Sequence, residues 1–123
     1  MPRKAHIVKR EIVTTDADGS TAINGGSITT TTTQTYNDVV TLGADTTLTS
    51  SNKGNITFAQ TVDGAYSLTV NTAGITTFGG AVGGLVALTS VTTDALGSTA
   101  INGGAITTSG AQTYNDAVTL GAN

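Results

Sequence analysis

The stretch from Thr14 to Asp45 returns as Thr92 to Asn123, altered only at Asp18, Ser27, Thr31, Thr32, Thr33, Val39 and Asp45. The shared core reads TAINGG, then IT, then QTYND, then VTLGA. Self-similarity at a fixed distance is the signature of a chain that stacks like units, each burying its apolar face on the next. A shorter period lies inside this one. Cutting before Ser27, Thr47, Ser67, Ala87 and Ala105 gives three segments of equal length and a fourth slightly shorter, and the five cuts open on SIT, TLT, SLT, ALT and AIT.

Side chains alternate across a strand, so this small–aliphatic–Thr opening points its middle residue inward. Ile28, Leu48, Leu68, Leu88 and Ile106 are then expected to stack as one inward ladder, with Leu42, Val62 and Val82 as a second. Gly and Asn fall just before each new segment, at Gly43, Asp63-Gly64, Gly83-Gly84 and Asn102-Gly103-Gly104. These residues tolerate the positive φ that a tight corner demands. The same dipeptides also signal hairpins, so an antiparallel sandwich is the competing fold. Composition argues against it: three Tyr, two Phe and no Trp are too few large apolar residues to fill the space between two packed sheets. The expectation is an all-β chain, a right-handed parallel β-helix or solenoid of about six coils of roughly 20 residues.

Residues 13–123 form the repeat segment, and the second copy stops where the chain stops, as expected of a piece of a longer parent. Residues 1–12 do not match the repeat. They hold Arg3, Lys4, Lys9 and Arg10, four of the five basic residues, and read as a cap, a linker or an incidental start. Only Lys53 lies beyond them, and the net charge is −3. Phosphate neutralisation needs Lys and Arg clustered on one face, so nucleic acid is not an expected partner. Charged residues make up only 11% of the chain, which leaves outward Thr hydroxyls to face water. Gly64 to Thr93 carries no charge, but it is rich in Thr and Gly and keeps the repeat register, so no membrane span is expected. Ile7 and Val8 run straight into Lys9, Arg10 and Glu11, so an export signal would lie elsewhere in a parent chain.

The segments TTDADGSTAINGGSITTTTTQTYNDVVTLGAD and GNITFAQTVDGAYSLTVNTAGITTFGGAVGG resemble repeats of filamentous-haemagglutinin-like bacterial surface proteins. The resemblance spans about residues 13 to 123. It implies a long right-handed parallel β-helix, export by a two-partner or autotransporter route, a secreted or outer-membrane-attached location, and adhesion. The partners it suggests are neighbouring coils of the parent chain and host or environmental surface glycans, with end-to-end self-association a further option.

Few residues suggest chemistry. Carbohydrate cleavage on a solenoid, a further alternative, needs carboxylates gathered on one face. Asp38, Asp63 and Asp116 are the candidates, and Asp38 and Asp116 hold the same repeat position four coils apart by the short period, too distant for joint acid and base work. They read as turn or surface residues. The one histidine, His6, sits in the basic start, and Asp16 and Asp18 are a weak cation signal. No catalytic residue, cofactor or metal is expected, and the chain is read as a structural protein rather than an enzyme. With no cysteine there is no thiol or disulfide chemistry. Tyr36 and Tyr114 could serve as sugar-stacking platforms, but their alternation with Val40 and Leu42 suits core filling. One outward row stands out as a candidate binding face: Thr29, Thr49, Thr69, Thr89 and Thr107. A flat lattice of hydroxyls and methyls resembles the face of ice-binding solenoids, which supplies the alternative function.

Overall fold

The computed structural model describes residues 7–10 and 12–123. None of them is helical, and the chain winds as a parallel β-solenoid of about five turns, roughly 21 residues each. Every turn visits three faces in the same order, and short corners join them. Face A holds β1 (Ile7–Arg10), β4 (Ser27–Thr30), β7 (Thr46–Ser50), β10 (Ser67–Asn71), β12 (Ser90–Thr93) and β14 (Gln112–Tyr114). Face B holds β2 (Val13–Thr14), β5 (Gln34–Tyr36), β8 (Ile56–Phe58), β11 (Ile75–Phe78), β13 (Ser98–Ile101) and β15 (Ala117–Leu120). Face C holds β3 (Ser20–Ile23), β6 (Val39–Leu42) and β9 (Val62–Asp63), continued upward by single bridges from Val62 to Val82 and from Val82 to Ile106. The strand Ile7–Arg10 pairs in parallel beneath Ser27–Thr30, so part of the non-matching start is laid on face A.

Successive coils on face B pair Val13, Gln34, Ile56, Thr76, Thr99 and Val118. The spacing along the chain is uneven, longest from Thr76 to Thr99 and shortest from Thr99 to Val118. This uneven pitch corrects the expected ladders. Leu48 does lie beside Ile28, but the next residue in that column is Val70, followed by Thr93 and Tyr114. Leu68 sits two positions away, beside Thr46 and Val91. Leu88 is buried next to a corner and bridges Thr108, while Ile106 belongs to face C. The second inward row runs Val40, Val62, Val82, Ile106, with Leu42 over Ile23 instead. Residues inserted at corners shift the strands that follow, and a period counted on a tripeptide cannot register them.

The interior is narrow enough for one side chain per row per coil. Tyr36, Phe58 and Phe78 stack in one column with ring centroids 5.2 and 5.5 Å apart and planes within 13° and 5° of parallel. These distances follow from the spacing of paired strands, about 4.8 Å, which brings like rings into offset contact. Ile101 continues the column above Phe78, and Leu120 continues it above Ile101. Thr also enters the core: Thr30, Thr46, Thr76, Thr93 and Thr99 are all buried. No buried side-chain nitrogen or oxygen among the described residues lacks a hydrogen-bond partner.

The two copies of the long repeat do not occupy the same faces. Ser20–Ile23 lies on face C and its copy Ser98–Ile101 on face B. Gln34–Tyr36 lies on face B and Gln112–Tyr114 on face A; Val39–Leu42 lies on face C and Ala117–Leu120 on face B. Counting strand passes from one copy to the other gives eleven faces, three turns and two-thirds. The duplication therefore advances the chain by eleven faces, one face short of four whole turns.

Candidate functional site

The recurring QTYND motif is a clamp between coils. Tyr36 donates its hydroxyl to Gln34 Oε1 at 2.7 Å, and Gln34 Nε2 donates to the carbonyls of Ile28 and Thr49 at 3.2 and 3.0 Å. The Asn37 side-chain amide donates to the Thr15 carbonyl at 2.8 Å, and Asp38 Oδ1 accepts the hydroxyls of Thr15 and Thr21, both at 2.8 Å. The copy repeats the pattern one face away. Tyr114 donates to Gln112, Asn115 to the Thr93 carbonyl, and Asp116 Oδ1 accepts Thr93 and Thr99, both at 2.9 Å. Burial holds the Tyr36 phenol far above its ordinary pKa, and desolvation raises that of Tyr114 as well. Tyr36 is fully buried, which fits core filling and leaves no exposed ring there for a sugar.

The Asn-Gly-Gly corner is a second shared element. A Cβ on Gly43 would fall 1.9 Å from Asn24 Oδ1, and one on Gly121 equally close to Asn102 Oδ1. Each asparagine thus lies over a glycine of the neighbouring coil, and only glycine leaves it room. The corners open with Gly26 and Gly104 at φ of 87° and 88°, the left-handed region that other residues enter at a cost.

Asp38, Asp63 and Asp116, the carboxylates considered for catalysis, are all tied to neighbouring coils. Asp63 Oδ1 accepts the backbone N–H groups of Leu85 and Val86 at 2.8 and 3.0 Å. Asp38 follows a strand of face B and Asp116 one of face A, so they stand at different corners. Among the described residues no three His, Cys, Asp or Glu gather as a metal site. Asp16 and Asp18 are exposed at one corner. His6 lies outside the described residues. No described helix is long and apolar enough to cross a membrane.

The outward Thr row is redrawn by the observed register. Thr29 lies beside Thr49, but the next residue in that column is Asn71. Thr69 belongs to a neighbouring column, Ser27, Thr47, Thr69, Thr92, Thr113, which carries five hydroxyls on face A. Thr89 and Thr107 are exposed outside the strands and in neither column. Face B carries another outward column: Thr14, Thr35, Thr57, Thr77, Ala100, Thr119.

A groove of about 360 Å³ opens where face A turns toward face B. Counting back three positions from the paired Ile56, Thr76 and Thr99 gives Lys53, Ala73 and Leu96, one above another along it. Thr49, Asn71 and Asp94 line its other side. Burial is the largest influence on Asp94 and raises its pKa; the nearby Asp116 charge adds to this, while backbone N–H groups of Thr72 and Asp94 oppose it. No sequence pattern marks this groove, because its residues meet only once corner lengths are fixed. The signal for the clamp was present in the duplicate positions Thr15/Thr93, Thr21/Thr99, Asn37/Asn115 and Asp38/Asp116.

No protein-family model, curated protein or solved structure matches this chain.

Proposed function

We propose that this chain is a structural, adhesive stalk segment of a large secreted bacterial surface protein of the filamentous-haemagglutinin-like kind. The observation that carries the reading is where the recurring residues go. Asn and Asp of QTYND, with the Thr residues they bind, join one coil to the next in both copies, and Gln34 adds a bond to the Thr49 carbonyl of the next coil in the first. A duplicated sequence whose polar residues serve cohesion rather than an outward cluster suits a part that adds length. The offset between the copies extends that logic, since the same Asn and Asp bonds form after a strand of face B in one copy and after a strand of face A in the other. Antibody against this chain, applied to intact cells of the source organism, is the test. Labelling without permeabilisation is the expected result, and labelling only after permeabilisation contradicts it.

The hydroxyl column on face A favours one second reading, an ice-binding face. Ser27, Thr47, Thr69, Thr92 and Thr113 repeat at the strand spacing of about 4.8 Å, with Thr29 and Thr49 one pleat away. Ice recognition predicts thermal hysteresis from the purified chain that disappears in Thr69→Tyr. The stalk reading predicts no hysteresis.

A further inference from the structure

We infer that the groove beside Lys53 is a binding site for a carboxylated saccharide, with the Lys53 ammonium pairing the sugar's carboxylate. Lys53 is the only cationic side chain between Ile12 and Asn123. Its φ is 61°, and it is the only residue other than glycine among those described with positive φ. A side chain with a β-carbon is strained in the left-handed region, and glycine would relieve the strain. Such strain is retained where the side chain is needed in place.

The groove around it has the shape and chemistry to use that charge. Ala73 is small and lies between Lys53 on the coil below and Leu96 on the coil above, so the wall dips there. Two coil spacings separate the rims, about 10 Å, room for one pyranose ring. The volume lies within the ~300–1,000 Å³ usual for small-molecule sites. Leu96 is 64% exposed and offers an apolar surface to the C–H face of a ring. The side chains of Thr49, Asn71 and Lys53 make no hydrogen bond or ion pair with another described residue. Asp94, when ionised, only accepts. A ligand for this groove must therefore bring an anion to Lys53 and hydroxyl donors to Asp94, which a sugar acid does. The acidic Asp94 and the single cation disfavour a polyanion such as nucleic acid.

The inference names a ligand class for the adhesive reading and rests on it for its biological sense, but its test is independent of where the protein resides. Backbone amide shifts of the purified chain are followed by NMR during titration with the methyl glycoside of galacturonate and, separately, that of galactose. Shifts confined to the groove, with the acidic probe binding at least tenfold tighter, are expected. Lys53→Gly should lose that tenfold preference while unfolding at the same temperature or higher, and Lys53→Arg should keep it. Ala73→Leu, which fills the dip and leaves Lys53 in place, should weaken both probes, and it tests the site independently of whether Lys53→Gly folds. Equal binding of the two probes, no binding of either, or acidic-probe binding by Lys53→Gly as tight as in the parent overturns the proposal. Failure of surface labelling on cells would remove the stalk reading and leave this site standing.

Discussion

Asp38 shows how a single residue is used in this fold. It is 4% exposed, and its carboxylate accepts hydroxyls from Thr15 and Thr21 on the coil below. Asp38→Ala leaves both donors without their acceptor in a partly buried place, a loss of about 1–3 kcal/mol, to be read from urea unfolding. The corresponding loss in Asp116→Ala should be smaller, because the coil around it is more exposed. Lys53→Gly should move stability the other way, a gain on the order of 1 kcal/mol from released backbone strain. For Asp94 the folded-state pKa is raised. Protonation thus favours the folded chain, and the contribution is fully present below the unfolded value and lost as pH rises through the folded one. Asp94→Asn should therefore match the parent in strong acid and exceed it in stability above the aspartate range, as measured by thermal unfolding across pH. At this scale the sequence disclosed the recurrence of Thr15, Asn37 and Asp38 but not their partnership, since the partners lie 17 to 23 residues apart.

Among the elements, the column Tyr36–Phe58–Phe78 carries the largest buried side chains. Phe58 is central, in contact with a ring on either side. Phe58→Ala should cost about 3–5 kcal/mol in chemical denaturation, from lost transfer energy and an unfilled cavity. The same replacement at the exposed Leu85 should change stability little, as that side chain is 89% exposed. The existence of strands and their inward aliphatics at Ile28, Leu48 and Val62 were legible from alternation. Their partners were less so, for a physical reason. Leu68 and Val70 both point inward, and Thr is accepted inward at Thr46, so the strand Ser67–Asn71 reads equally well in registers two residues apart. The tripeptides TLT and SLT look equivalent, and corner length, not strand pattern, sets which residues meet.

For the molecule as a whole, solenoid architecture and approximate coil length followed from periodicity, whereas the relation between the two long copies did not. The offset from Thr14 to Thr92 is close to four of the short periods, which suggests whole turns; the observed turns run to roughly 21 residues, and the copies fall one face apart. The copied unit is then eleven faces with their corners, not a whole number of turns, and a binding feature copied with it reappears one-third of the way round the rod. The groove illustrates this: Leu96, on its upper rim, is the copy of Asp18, which stands at a different corner. This one-face offset is the central claim, and oxidative cross-linking tests it directly because the chain has no cysteine of its own. Thr92, the copy of Thr14 on face B, is paired with Thr69 on face A, so Thr69→Cys with Thr92→Cys should form an intramolecular bridge under mild oxidation, seen as a mobility shift reversed by reductant. Whole turns of the short period instead place Thr72 beside Thr92, and efficient bridging of Thr72→Cys with Thr92→Cys, without bridging of the first pair, would contradict the account.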